Sequence, residues 1–383
     1  MMRYKLGEIF NLQMGKTPDR HSPKFWNEGT EPWISIADLT KCNKYIENTA
    51  EKITATAVDE SGIKIIPKNT VIMSFKLSIG KVAITPKEMY SNEAIMSFID
   101  KGVLKIEPVY LYYLLMHKDW DTGTNKAVMG KTLNKASLSQ ITVNIHGYSE
   151  QLEIIKALDA ASSIIAARKQ QLTELDNLIK ARFVEMFGDP VSNPKDWNVE
   201  PLGKRCGIIT GNTPPRSEPE NYGKYIEWIK SDNINTPFTF ITKAQECLSE
   251  AGFEKCRFVE AGSILMTCIA GSIDCIGNVA VTDRRVAFNQ QINAIVPEQD
   301  EVLYLYWLIQ ISKPMIHRTI NMALKGILSK SQLSEIVFPF PPITLQEQFA
   351  AFVEQTDKSK VAVQKALDEA QLLFDSLMQK YFG

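Results

Sequence analysis

The chain repeats its own sequence once, at an offset of about 195 residues. “GKTP” at 15–18 returns as “GNTP” at 211–214, and “IGKVAI” at 79–84 returns as “IGNVAV” at 276–281. “LYYLL” at 111–115 and “LYWLI” at 305–309 continue the series in the same order. Collinear matches of this kind indicate two copies of one structural plan, not a many-repeat solenoid.

Gly15-Lys16-Thr17 looks like the end of a phosphate-binding loop, but the rest of that motif is missing. The loop needs a glycine five residues before Gly15, where Phe10 stands. The second copy has asparagine in place of the lysine. We therefore interpret the Gly-x-Thr-Pro loop as a turn, and keep open whether its side chains also contact a ligand.

Composition places the chain among ordinary globular proteins with room for two domains. It has 383 residues, 44% hydrophobic and 23% charged, and a formal net charge of −1. No apolar run is long enough to span a membrane. Six cysteines without a C-x-x-C pair, and only four histidines, predict reduced thiols in a cytoplasmic protein and no metal site.

Each copy consists of a globular part followed by a long helix. Short β-prone runs such as “NTVIMSF” and “GSILMTCI” alternate with turn residues and with amphipathic helices, which predicts an α+β fold. The predicted domains are a first globular domain at 1–148, a helix at 149–188, a linker and second globular domain at 189–344, and a helix at 345–383.

Apolar residues recur at heptad spacing in both helices. This pattern predicts an antiparallel coiled coil with a pseudo-two-fold axis, although separate packing of each helix on its own domain is the alternative. Ile154, Ile164 and Leu178 are expected on outward faces. The residues expected in the helix pair are Leu158, Ile165, Leu172, Leu175 and Ile179 in the first helix, with Val353, Val363, Leu367, Phe374 and Leu377 in the second.

These features together resemble the DNA-specificity (S) subunit of type I restriction-modification enzymes, over essentially the whole chain. The resemblance rests on the twin Gly-x-Thr-Pro loops, the Trp-Ile…Asp stretches at 33–38 and 228–232, and the Ile-Gly-x-Val-Ala loops. It also rests on helices that begin with Glu150-Gln151 and Glu347-Gln348, and on the Phe-Gly pairs at 187–188 and 382–383.

The resemblance implies two target-recognition domains, each reading one half of a bipartite double-stranded DNA sequence. It also implies that the helices dock two methyltransferase (M) subunits, and that motor-nuclease (R) subunits complete the enzyme. S-adenosylmethionine, ATP and Mg would then be bound by those partners and not by this chain. Consistent with a non-catalytic subunit, the adenine-methyltransferase motif [DNS]-P-P-[FYW] is missing, and no residue is assigned as catalytic.

Candidate DNA contacts come from the repeated loops and from lysine-bearing windows without acidic residues, because phosphate neutralisation needs cations and base reading needs polar side chains. The windows are 61–87, 122–149 and 302–334. The first globular domain carries a net charge of +4 and the second −2. The candidates are Lys16, Thr17, Arg20, Lys76, Lys81, Lys126, Lys131 and Lys135 in the first copy, with Asn212, Thr213, Arg216, Gln290, Arg318, Lys325 and Lys330 in the second.

Two further interpretations remain open from sequence alone. Trp33 and Trp228 fit a core position better than a base-stacking platform. The near-neutral charge also allows a non-enzymatic scaffold, in which a coiled coil joins two protein-binding domains without DNA recognition.

Overall fold

A computed structural model describes residues 1–76, 78–120, 125–127, 130–320 and 326–383, with the backbone alone for 125–127 and 130–132. The chain divides into two compact units, and each unit takes residues from both copies. Unit 1 comprises Met1–Arg168 and Ala366–Gly383, and unit 2 comprises Lys169–Lys365. None of the described helices is long and apolar enough to cross a membrane.

The globular part of unit 1 is built on a four-stranded antiparallel sheet of order β2-β8-β5-β6 and a three-stranded sheet of order β4-β3-β7. Its strands are β1 (Met2–Lys5), β2 (Phe10–Met14), β3 (Glu31–Ile34), β4 (Glu51–Ile53), β5 (Val71–Ser74), β6 (Val82–Ile84), β7 (Tyr90–Ser91), β8 (Ile95–Asp100), β9 (Asn125–Ala127), β10 (Gly130–Thr132) and β11 (Thr142–Ile145). Its helices are α1 (Leu6–Ile9), α2 (Pro23–Trp26), α3 (Ile36–Lys41), α4 (Ala55–Ser61), α5 (Pro108–His117) and α6 (Lys135–Gln140), followed by the long helix α7 (Tyr148–Phe187).

Unit 2 repeats the plan with a four-stranded sheet of order β13-β21-β18-β19 and a five-stranded sheet of order β14-β16-β15-β20-β17. Its strands are β12 (Val199–Pro201), β13 (Cys206–Thr210), β14 (Tyr222–Gly223), β15 (Ile226–Ile229), β16 (Cys247–Leu248), β17 (Phe258–Val259), β18 (Ile264–Thr267), β19 (Val279–Val281), β20 (Val286–Phe288), β21 (Ile292–Pro297) and β22 (Val337–Pro339). Its helices are α8 (Leu202–Arg205), α9 (Glu250–Glu254), α10 (Val302–Thr319) and α11 (Lys330–Glu335), followed by the long helix α12 (Ile343–Phe382).

The strands form where the sequence has short runs of buried, mostly apolar residues. β5 (“VIMS”) and β18 (“ILMT”) are buried along their whole length, as central strands with both faces covered should be. The following helices begin at polar caps: Asn134 and Ser329 each form a capping box at the first turn of α6 and α11. The predicted fold class, two α+β domains with two long helices, is confirmed.

Both long helices contribute to the core of each unit. In unit 1, Leu158 of α7 and Met378 of α12 are buried in the same cluster as the four-stranded sheet and α5. In unit 2, Phe187 of α7 and Val353 of α12 are buried with the corresponding sheet and α10. Full burial of one such side chain contributes about 2 kcal/mol to folding.

The Phe-Gly pairs have a packing role at the ends of the long helices. The ring of Phe187 lies 4.9 Å from that of Tyr304, and the ring of Phe382 lies 5.5 Å from that of Tyr110, between centroids. Gly188 then takes a φ of 82°, in the left-handed region where glycine commonly ends a helix. Each pair therefore marks the point where a long helix closes a globular core.

A buried glutamine ties the start of each long helix to its globular part. Gln151 accepts a hydrogen bond from the backbone N–H of Glu107 at 3.0 Å, and Gln346 accepts one from Glu301 at 2.9 Å. Each amide also donates to the carbonyl group five residues earlier. Pairing Gln151 with Gln348, as the shared letters “EQ” suggest, is therefore wrong, because Gln348 is exposed. The true equivalent is Gln346.

The outward positions of the first helix are partly as expected. Ile164 and Leu178 are exposed, but Ile154 is 3% exposed and lies in the core of unit 1, so its predicted outward position is wrong. The reason is its place in the helix. Ile154 lies only six residues after Tyr148, where α7 still packs against the globular part.

The six cysteines are free thiols. Among the described residues, no three His, Cys, Asp or Glu side chains are grouped closely enough to hold a metal ion.

Candidate nucleic-acid interface

Glycine is required in both Gly-x-Thr-Pro loops because each loop packs directly on backbone. A Cβ atom on Gly15 would lie 2.2 Å from the carbonyl oxygen of Asn92, and one on Gly211 would lie 2.2 Å from that of Asn289. Such contacts are sterically impossible without moving the backbone. The loop is therefore a built turn that lies against the segment before β8 or β21.

The repeated tryptophans anchor these loops through hydrogen bonds to the loop backbone. The indole N–H of Trp33 donates to the carbonyl oxygen of Lys16 at 3.1 Å, and that of Trp228 donates to Asn212 at 3.4 Å. Trp33 is 1% exposed and Trp228 is 3% exposed. The preference for a core position over a stacking platform agrees with this burial.

The variable second residue of each loop has an anchoring partner inside the chain. The ammonium group of Lys16 donates to the carbonyl oxygen of Ser61. The amide of Asn212 donates to the carbonyl oxygen of Lys255 at 2.8 Å and accepts from the N–H of Arg257 at 2.9 Å. Each of these two residues thus has a hydrogen-bond partner within the chain, and DNA contact by them stays a prediction.

Arg20 lies over two tryptophan rings and pairs with a carboxylate. Its guanidinium carbon is 4.0 Å from the ring centroid of Trp26 and 4.6 Å from that of Trp33. Both of its terminal nitrogens donate to Glu51, one of them at 3.1 Å. About 44% of the Arg20 side chain remains exposed, so the cation is fixed in position and still accessible.

Arg216 repeats this arrangement in unit 2. It lies 4.7 Å from the ring centroid of Tyr222 and 5.3 Å from that of Trp228, and donates to Glu246 at 2.9 Å. Lys230 also contacts Glu246, at 2.6 Å. The hydrogen bonds from Arg216 and then from Lys230 lower the pKa of Glu246 to about 2.

The threonine of each loop donates a hydrogen bond to one exposed side chain. The Thr17 hydroxyl donates to the carboxylate of Glu93, and the Thr213 hydroxyl donates to the amide oxygen of Gln290. The bond from Thr17 lowers the pKa of Glu93 below its usual value. The two copies thus place an acid and an amide at equivalent positions.

Backbone hydrogen bonds join four segments into one edge in each unit. In unit 1, Phe75 at the end of β5 donates to Ala94 at 3.0 Å and accepts from Leu133 at 3.1 Å. In unit 2, Cys268 donates to Gln291 at 2.8 Å and accepts from Leu328 at 2.9 Å. We name the four segments of unit 1 the first recognition edge; they are residues 15–20, 75–76, 91–95 and 133–135. The four segments of unit 2 form the second recognition edge; they are residues 211–216, 268–270, 288–292 and 326–330.

Comparison with known proteins assigns the family. The profile of the type I restriction modification DNA specificity domain matches the chain twice, at residues 1–177 and 194–370. The chain belongs to this family.

Relatives in the specificity family align with part of the chain at modest identity. The type I restriction enzyme MjaIX specificity subunit of Methanocaldococcus jannaschii is 28% identical over 233 residues, which are 56% of this chain and 53% of that subunit. The HindI specificity subunit of Haemophilus influenzae is 27% identical over 234 residues, 58% of this chain and 50% of that subunit. The match therefore spans about half the length of these curated relatives.

The fold likeness extends over the whole chain. The crystal structure of a type I restriction-modification system S subunit from M. genitalium matches with a TM-score of 0.57 and 14% identity. The match covers 100% of this chain and 96% of that one. At this identity the likeness supports the specificity-family fold alone.

The lysine candidates of the first domain fall into three groups. Lys76 lies on the first recognition edge and contributes to the lowered pKa of Glu93, after the larger effects of Thr17 and the backbone. Lys135 is the exposed first residue of α6 on the same edge, whereas Lys81 donates to the hydroxyl of Thr40 at 2.6 Å. The side chains of Lys126 and Lys131 lie outside the described residues.

In the second domain, Lys330 is the exposed first residue of α11 and lies on the second recognition edge. Arg318 is exposed in the last turn of α10, and the residue after it, Thr319, accepts a hydrogen bond from Gln332 of α11 at 3.3 Å. Lys325 lies outside the described residues. DNA contact by all of these candidates stays a prediction.

The residues expected in the helix pair are all buried or half-buried in the unit that contains them. Leu158, Ile179 and Val353 are each 0% exposed. The half-buried members are Ile165, Leu172, Leu175, Val363, Leu367, Phe374 and Leu377. Their burial is compatible with the predicted coiled coil, whose heptad pairing remains a prediction.

Sequence reasoning missed the acidic members of the two edges. Glu51 and Glu246 hold the arginines, and Glu93 accepts from Thr17. The repeat itself relates Glu51 to Glu246, because the separation between these two residues matches the offset between the two copies. Windows without acidic residues exclude these carboxylates by definition, although a carboxylate can also position a cation.

Proposed function

We propose that this chain is the sequence-specific DNA-recognition subunit of a type I restriction-modification complex, in which each globular domain reads one half of a bipartite target. Membership in the specificity family and two relatives named specificity subunits support the proposal. The observation that carries it is the pair of recognition edges. They share their backbone hydrogen bonds, glycine, threonine and arginine, yet carry different side chains at Lys16 and Asn212 and at Glu93 and Gln290.

Two edges on one framework suit recognition of two half-sites. The shared residues fix the loops, and the Trp-supported arginines place cations where phosphates could pass. The residues that differ can give each domain its own base preference. A scaffold without DNA recognition needs no such pairing of a fixed framework with variable exposed side chains.

The long helices are proposed to dock two methyltransferase subunits, and motor-nuclease subunits complete the complex. Several large apolar side chains are exposed along α7 and α12, among them Leu178 and Leu373, and burial by a partner would remove them from water. Val361 is 71% exposed and Leu372 is 70% exposed. In this proposal the chain supplies recognition and no catalysis, the partners bind S-adenosylmethionine, ATP and Mg, and the complex acts on cytoplasmic DNA.

Co-expression with the cognate methyltransferase subunit tests the proposal. Methylome sequencing of a host with and without the pair should show one bipartite methylated motif that depends on this chain. Exchange of residues 1–148 for the corresponding domain of another family member should change one half of the motif and keep the other. A purified complex without sequence-selective, salt-sensitive DNA binding would support the scaffold instead.

A further inference from the structure

Most polar side chains on the two recognition edges already have partners within the chain. Lys16 and Asn212 hold the loops to neighbouring backbone. Arg20 and Arg216 are paired with carboxylates over aromatic rings. These residues shape the edges and set their charge, and each of them is held in place by contacts within the chain.

Glu93 and Gln290 are held differently, at the tips of two equivalent turns. Each turn is closed by an asparagine: the side-chain oxygen of Asn92, and likewise that of Asn289, accepts from the backbone N–H two residues later at 3.0 Å. The next residue in each turn, Glu93 or Gln290, is exposed. A fixed backbone therefore presents one polar side chain outward from each edge.

A threonine sets the direction of each of these side chains. Thr17 donates to Glu93, and Thr213 donates to the amide oxygen of Gln290. The amide nitrogen of Gln290 has no hydrogen-bond partner among the residues that the structure describes. Orientation by a second residue reduces the loss of side-chain entropy on binding, which favours selective contacts.

The two groups have different hydrogen-bonding capacities although they are nearly the same in shape. An ionised carboxylate only accepts, which suits the N4 amino group of cytosine in the major groove. An amide both donates and accepts, which suits the N6 and N7 atoms of adenine. The difference between Glu93 in the first copy and Gln290 in the second thus corresponds to a change in the base that the side chain can read.

We infer that Glu93 and Gln290 determine specificity, Glu93 by reading a cytosine in the half-site of the first domain and Gln290 by reading an adenine in the half-site of the second. The inference rests on the proposed function and adds the residues and bases to it. It assigns the shared loop residues to positioning and the turn tips to base contact.

The test uses the full chain co-expressed with its methyltransferase subunit. Glu93→Gln should replace cytosine by adenine at one position of the first half-site, and Gln290→Glu should do the converse in the second. In a purified complex, the preference between the two bases should shift by about ten- to a hundred-fold, the range of one good base contact. The unchanged half-site serves as an internal measure of folding.

Exposed residues outside the edges provide matched controls. Glu47→Gln and Gln299→Glu make the same exchanges at exposed positions and should leave the motif as it is. If the wild-type chain gives a bipartite motif and both edge variants give the same motif, the inference is overturned and the proposed function still stands. Weaker binding with the same base preference would overturn it too, because the residues would then contribute only affinity. A wild-type chain without a bipartite motif would instead defeat the proposed function.

Discussion

Lys360 forms an ion pair with Asp176 in unit 2, with 2.8 Å between Nζ and Oδ1, at a heptad position where an apolar residue is expected. The Lys360 side chain is only 14% exposed, and Asp357 lies 3.5 Å away on the same helix. Asp357 also accepts from the hydroxyl of Thr239 at 3.1 Å. A half-buried polar group thus links the two helices and the globular part of this unit.

Lys360→Met should keep the packing between α7 and α12 within unit 2 and leave two carboxylates, those of Asp176 and Asp357, without their cation. We expect the free energy of unfolding to fall by about 1–3 kcal/mol, measured by urea denaturation. Lys358→Met, at an exposed position two residues earlier, should change it by less than about 0.5 kcal/mol. Equal effects of the two substitutions would show that the ion pair contributes nothing specific.

The buried glutamine at the start of α12 should be far more sensitive than its exposed neighbour. Gln346→Ala removes the acceptor of the Glu301 N–H and two donated bonds, to Asp300 and to the carbonyl oxygen of Pro341, and leaves a cavity. A loss of about 3 kcal/mol in stability is expected. Gln348→Ala serves as the control and should be close to neutral. A larger loss of stability for Gln348→Ala than for Gln346→Ala would instead support the pairing of Gln151 with Gln348.

The glycine of the second loop should not tolerate a methyl group. Gly211→Ala places Cβ against the carbonyl oxygen of Asn289, and we expect a destabilisation of about 3 kcal/mol, with altered fluorescence of the adjacent Trp228. Gly271→Ala is the matched control, because a Cβ atom there meets nothing within 4 Å. Unchanged melting of the Gly211 variant would mean that the loop does not pack as described.

The ion pair of Glu246 should make the thermal stability of unit 2 depend on pH. Its folded-state pKa is lowered from 4.5 to about 2, so its stabilising effect is complete above about pH 5 and declines as the pH falls from there towards 2. The difference in Tm between wild type and Glu246→Gln should therefore shrink between about pH 5 and pH 3. Because the pair is partly exposed, about 1 M salt should also reduce the difference at neutral pH. A constant difference under both conditions would contradict the assignment.

The sequence was most informative where a feature occurred twice. The collinear repeat predicted the two α+β domains, and heptad spacing predicted helices that the structure extends over Tyr148–Phe187 and Ile343–Phe382. The loop glycines were recognisable as turn residues, but the backbone contact that requires them depends on a segment more than 70 residues later in the chain.

Contacts between distant side chains could not be predicted in the same way. Arg20 and Glu51 are 31 residues apart, and no helical or strand periodicity relates the two positions. The partner of Lys360 depends on the register between α7 and α12, and a heptad pattern with several polar positions leaves that register open. The helix alignment was wrong at Gln346 for a related reason: two letters matched by chance at the wrong offset.

The division of the chain into units has a consequence for its synthesis. Residues 169–365 are continuous, so unit 2 has all of its residues as soon as they have left the ribosome. Unit 1 begins at Met1 but also contains residues 366–383, among them the buried Met378. The globular part that is synthesised first thus receives its last packing partners, among them Met378 and Phe382, only after all of unit 2 has been made.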